Sequence, residues 1–118
     1  MPLTLGSEFK THAATGLSSL TTGVKSTYTC PDGRIAIVHF YAAEELGSSG
    51  GTAQIEITVG AGPTTVEVER MTGGQQQACF IVLQPGDTIR FNITATGTDS
   101  WSFALGIEER DASEGDGS

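Results

Sequence analysis

Apolar and polar residues alternate with a period of two along most of the chain between Val24 and Ile107. The clearest run is Ile89–Ala95. Ile89, Phe91, Ile93 and Ala95 fall on one side and Arg90, Asn92 and Thr94 on the other, the pattern of a half-buried strand. A second apolar run, Phe80–Leu83, precedes it across Gln84-Pro85-Gly86-Asp87. Proline presets φ and glycine admits a positive φ, so the segment predicts strand, turn, strand. Thr52–Val59 alternates with Ala53, Ile55, Ile57 and Val59 inward. Thr64–Arg70 sets Val66 and Val68 against Thr65, Glu67 and Glu69, and Trp101, Phe103, Leu105 and Ile107 form a last, strongly aromatic face. Val24–Cys30 sets Val24, Ser26, Tyr28 and Cys30 on one side before a Pro31-Asp32-Gly33 turn.

Arg34–Ala42 is apolar on both faces, with Ile35, Ile37, His39 and Tyr41 opposing Ala36, Val38 and Phe40. Such a strand is central and covered on both sides. Tyr41–Leu46 holds good helix formers, but so few residues before Gly47-Ser48-Ser49-Gly50-Gly51 allow one helical turn at most. Seven strands follow, with an eighth, short one expected near Glu8–Ala13. The fold class is therefore all-β: an antiparallel β-sandwich or jelly-roll-like barrel of seven to eight strands with an extended N-terminal arm. We divide the chain into the arm (1–22), the sandwich domain (23–110) and an acidic tail (111–118). The arm carries Leu3, Leu5 and Phe9 without a sustained period. A terminus has no other evident reason to carry them, so these three are the candidate residues for contact with a neighbouring subunit.

Composition narrows the function. The chain has 118 residues, enough for one domain with its own core. Fourteen acids against six bases give a net charge of −8, which argues against a nucleic-acid partner, because phosphate binding rests on Lys and Arg. No apolar run approaches the ~20 residues of a membrane helix. The N-terminus lacks the basic and long apolar regions of a secretory leader, so synthesis in a cytoplasm without ordinary export is expected.

The chemistry-bearing residues make no catalytic set. His39 sits in a two-sided apolar strand and His12 in the arm, without the short spacings of a zinc site. Cys30 and Cys79 are expected as free thiols. Asn92-Ile93-Thr94 matches the glycosylation sequon and, with no export expected, is expected to do so by chance. Glu44-Glu45, Glu67 with Glu69, and Glu108-Glu109 read as solvated carboxylates, and the serine pairs lack a nucleophile-elbow context. Neither cofactor nor metal is implied, and enzyme activity is not expected. Tyr28, Trp101 and Phe103 would suit either a core or a sugar-binding platform.

The order of pieces carries a resemblance. TYTCPDGR (Thr27–Arg34) opens an apolar strand, FIVLQPGDTIRFNI (Phe80–Ile93) comes late, and GIEER (Gly106–Arg110) closes the domain. This resembles small β-sandwich virion proteins of tailed bacteriophages. Cys30 stands where that class usually has an apolar residue, and Asp32 where it often has alanine. The resemblance implies a capsid decoration (cement) protein on the outer surface of the head, clamping neighbouring capsomers as a homotrimer. Its partners would be the major capsid protein or other virion proteins. A tail or fibre component, or a receptor- or carbohydrate-binding module using Tyr28 or Trp101, is the alternative.

Overall fold

The computed structural model describes residues 7–45, 51–60, 64–98 and 100–112. Eight strands follow in chain order: β1 (Glu8–Ser18), β2 (Gly23–Thr29), β3 (Arg34–Glu45), β4 (Thr52–Val59), β5 (Thr64–Met71), β6 (Gln75–Leu83), β7 (Thr88–Ala95) and β8 (Ser100–Asp111). They form two four-stranded antiparallel sheets, a front sheet in the order β1-β8-β3-β6 and a back sheet in the order β2-β7-β4-β5. The strands pair 4 with 5, 3 with 6, 2 with 7 and 1 with 8, as in a long hairpin wound around itself. This is the jelly-roll form of the expected sandwich. The 1–22 segment contributes β1, which runs beyond Glu8–Ala13 and pairs with β8 along its length.

The core lies between the sheets. Trp101, Phe103, Leu105 and Ile107 of β8 face Ile89, Phe91 and Ile93 of β7, all essentially buried. The Phe91 ring stacks on Phe103 at 5.1 Å and meets Trp101 at 5.5 Å, joining the sheets at their centre. Each such side chain stabilises the fold by roughly 1.5–3 kcal/mol. Tyr28, Trp101 and Phe103 are thus core residues.

Bulges interrupt both sheets, and these revise the faces expected from alternation. Register shifts lie between Ala14 and Leu17, Val24 and Ser26, Val38 and Phe40, Ile55 and Glu56, and Thr52 and Ala53. An extra residue moves every later side chain to the other face. In β3, Ala36 and Val38 point inward before the bulge and Tyr41 and Ala43 after it. In β5, Glu69 pairs with Ile55 and Glu67 with Glu56, neighbours on β4, so the two glutamates occupy opposite faces. In β2, Val24 turns outward and is exposed. The segment from Tyr41 to Glu45 is strand, not a helical turn, because β8 and β6 pair with it on both sides; tertiary pairing overrides propensity.

Two expected turns hold one end of the sandwich. Gly33 and Gly86 take positive φ (78° and 91°). Asp87 N donates to Gln84 O at 2.9 Å, and the turns lock together through Cys30 N to Asp87 O (2.9 Å) and Gly86 N to Cys30 O (3.0 Å). Gly60 rests on this corner: a Cβ there would lie 2.7 Å from Gly86 O.

Candidate functional site: the outer face of the front sheet

The two outer faces differ in chemistry. On the back sheet the outward side chains form a polar network. Glu56, 3% exposed, accepts from Arg90 Nε (2.7 Å), Asn92 Nδ2 (2.8 Å) and Gln54 Nε2. Burial alone would raise this carboxyl, but the hydrogen bonds outweigh it and hold it below its ordinary value. Asn92 of the sequon is part of this network.

The outer face of the front sheet is apolar. Phe9 is 74% exposed, Phe80 70%, Val82 45% and Phe40 42%. His39, at the β3 bulge, lies between Phe9 and Phe80, its ring 6.3 Å and 6.2 Å from theirs. Phe40 covers Gly106 of β8, where a side chain would overlap its ring. These residues make a raised aromatic end of the face. At the other end Ala13, Thr15, Ala42, Ala104, Ser102 and Gly74 leave a trough across the strands, of about 540 Å³, whose lining also includes the polar Glu44 and Gln76.

One carboxylate is sunk into the aromatic end. Glu108 is 6% exposed and accepts from Ser7 Oγ (2.6 Å) and Arg110 Nε (2.8 Å), with His39 Nε2 at 3.0 Å. Hydrogen bonds from Ser7, His39 and Arg110 hold its pKa down to about 2. Ser7, His39 and Glu108 are triad residue types in a non-catalytic order. The hydroxyl is bonded to the carboxylate, not to the imidazole, so the relay in which an imidazole takes the hydroxyl proton is not made.

Glu109, the next residue, points between the sheets. Tyr28 Oη donates to it and Lys10 Nζ lies 3.1 Å away. Burial would raise this carboxyl, but those bonds outweigh it, and its pKa is lowered. Both residues expected as solvated carboxylates at 108 and 109 are therefore buried and partnered. His12 bonds Ser26 Oγ at 3.0 Å and packs edge-on against Tyr28 and Phe103, and burial lowers its pKa. Cys30 and Cys79 are free thiols whose pKa values are raised by burial. Among the described residues no three His, Cys, Asp or Glu side chains gather as a metal cluster, and no helix is long and apolar enough to cross a membrane.

Of the three predicted interface residues, Phe9 lies on this face, exposed at its aromatic end. Leu3 and Leu5 lie outside the described residues. Sequence reasoning missed Phe80 and Val82. The available signal was FIVL itself, an unbroken apolar run with large side chains on both faces of the strand, of which the sandwich core takes only one.

No protein-family model and no curated protein matches the chain. Solved structures share its fold. The Drosophila NLP core, described for pentamer formation and histone binding, aligns with a TM-score of 0.54 at 7% identity, over 83% of this chain and 97% of that one. Bacillus endospore appendages, which form disulfide-linked pili, align with a TM-score of 0.50 at 14% identity, over 88% and 86%. Virion structures are also among the neighbours. The acid-stable capsid of a Helicobacter pylori bacteriophage aligns with a TM-score of 0.47 at 9% identity, over 87% and 86%. At these identities the likeness is one of fold.

Proposed function

We propose that the chain is a structural virion protein of a tailed phage: a head decoration protein that sits on the outer surface of the capsid and clamps neighbouring capsomers. The observation that carries this reading is the apolar outer face of the front sheet. Large apolar side chains stand exposed together there, in a chain whose excess charge is −8. Exposed apolar side chains gathered on one face mark a contact surface, and contact with another protein is one of the things that covers it. The jelly roll supports the reading, since capsid proteins are a common use of that architecture, and so does the resemblance carried by Thr27–Arg34, Phe80–Ile93 and Gly106–Arg110. Its partners are the major capsid protein or other virion proteins, and no catalysis is assigned to it.

The action is mechanical. Packed DNA pushes outward on a head, and a subunit bridging capsomers adds buried area at each joint. Many modest contacts repeated over a shell add through multivalency. Heads assembled with and without the chain test this. Heads lacking it should release DNA at lower temperature, with added protein restoring the higher one. Equal release temperatures at full occupancy would remove the clamping role.

A tail or receptor-binding role is the second reading. Its sugar-platform form loses its residues, because Tyr28 and Trp101 are buried in the core.

A further inference from the structure

The front-sheet face is complementary to itself. Its rows of outward residues run, from one end to the other, through Arg110, Glu108, Gly106, Ala104 and Ser102 on β8. Across from these, Glu108 pairs with Phe9 and Ile37, Ala104 with Ala13 and Ala42, and Ser102 with Glu44. Bulk is therefore concentrated at the Glu108 end and its absence at the Ser102 end. Turning a second copy by half a turn about an axis near Gly106, and laying it face to face, sets Phe9 and Val82 of each copy over the trough of the other, with the Phe40 and Phe80 rings of the two copies meeting around the axis.

Charge agrees with the same placement. Glu44, exposed at the trough end, comes opposite the partner end that carries Arg110, whose side chain is 51% exposed. Glu108, the other acid of the face among the described residues, is already held by its own chain's donors. No like charges are forced together across the centre.

The size is adequate. From Ser102 to Arg110 the face is about 27 Å long, and four strands are about 19 Å wide. That gives a flat footprint of roughly 500 Å² per copy, or about 1,000 Å² for the pair before side-chain relief is counted, the threshold of a specific interface. Sheets stacked this way pack about 10 Å apart, which needs the knobs of one to enter hollows of the other. A three-fold ring, which the sequence resemblance implies, needs two different patches on two sides of the domain. Here knob and trough share one plane, which suits an isologous two-fold contact.

We infer that the outer face of the β1-β8-β3-β6 sheet binds a second copy of this chain about a two-fold axis, the aromatic end of each copy seated in the trough of the other. This rests on the reading of the face as an assembly surface and says which contact covers it: the decorating unit is then a dimer that meets the capsid through its remaining surfaces, and the contact itself needs no particle to be tested. Sedimentation equilibrium of the full chain should give twice 12.2 kDa. Phe80→Glu, on an exposed side chain, and Ala104→Phe, which fills the trough, should each weaken association at least 100-fold. Far-UV circular dichroism and melting check that both variants fold, and Phe80→Glu decides should Ala104→Phe fail to. A trimer or pentamer overturns the two-fold contact. A monomer at all concentrations overturns the choice of a second copy, even if it binds heads, and a dimer that persists in Phe80→Glu overturns the choice of face. Failure on heads with a dimer intact would instead count against the decoration role alone.

Discussion

Glu108 offers a sharp test of how the front sheet is held. The perturbation is Glu108→Gln, which keeps the shape and removes the charge. Its carboxyl is held at about 2, against an ordinary 4.5, by Ser7, His39 and Arg110. Taken at face value, that difference corresponds to roughly 3 kcal/mol of preference for the ionised form in the folded state. Arg110 and His39 are themselves 51% and 41% exposed at the side chain, so solvent screens part of it, and about 1–2 kcal/mol is the expected cost of the substitution. The sign with pH follows from a folded pKa below the unfolded one. The stabilisation is fully present above about pH 4.5 and is lost as pH falls toward 2. Urea unfolding of both proteins, at one protein concentration, should show the wild type more stable by that amount at pH 7. The gap should shrink steadily between pH 4.5 and pH 2. Glu109 and Glu56 titrate in both proteins, so the difference isolates Glu108. An unchanged gap at pH 2, or no gap at pH 7, would refute the reasoning.

Three further outcomes are expected. Gly106→Ala should cost about 1–3 kcal/mol, because its Cβ displaces the Phe40 ring; the double variant with Phe40→Ala should lose less than the two single changes together, read by denaturant melts. Trp101→Ala should cost about 3–5 kcal/mol from the core, whereas Phe80→Ser, on a 70% exposed side chain, should change monomer stability by about 0.5 kcal/mol or less. Thiol labelling at pH 7.5 should be slow at both cysteines and accelerate on unfolding, because burial raises both pKa values; fast labelling of the folded Cys30 would show it to be accessible.

Much of the architecture was legible in the residues, because strand periodicity and turn chemistry are local. Pro31-Asp32-Gly33 and Pro85-Gly86 announced their turns, and the Ile89–Ala95 alternation matches its burial through Ile93. The faces were less legible. A bulge adds one residue without disturbing the alternation on either side of it. In β3 both faces are apolar, so the shift at His39 left no trace in the sequence. The helix-forming run at Tyr41–Glu45 misled because its state is set by β6 and β8, which are far away in the chain.

The candidate site was legible only at Phe9. The others required the sheet order. Phe80 and Val82 look like core residues until the register of β6 against β3 puts them on the outer face, and Glu108 reads as a solvated carboxylate until β8 is known to carry it in the middle of a sheet. In a chain read only locally, a residue that faces a partner and one that faces the core share the same signal.

The central claim is that this chain is a part of a virion, and binding of the purified full-length protein to heads that lack it tests that most directly. Co-sedimentation through a sucrose cushion should carry the chain down with the heads to a saturating, fixed number of copies per capsomer. The bound number should fall when the added protein is diluted below its affinity. A chain that stays in the supernatant at every concentration, with heads that are intact and undecorated, would contradict the account.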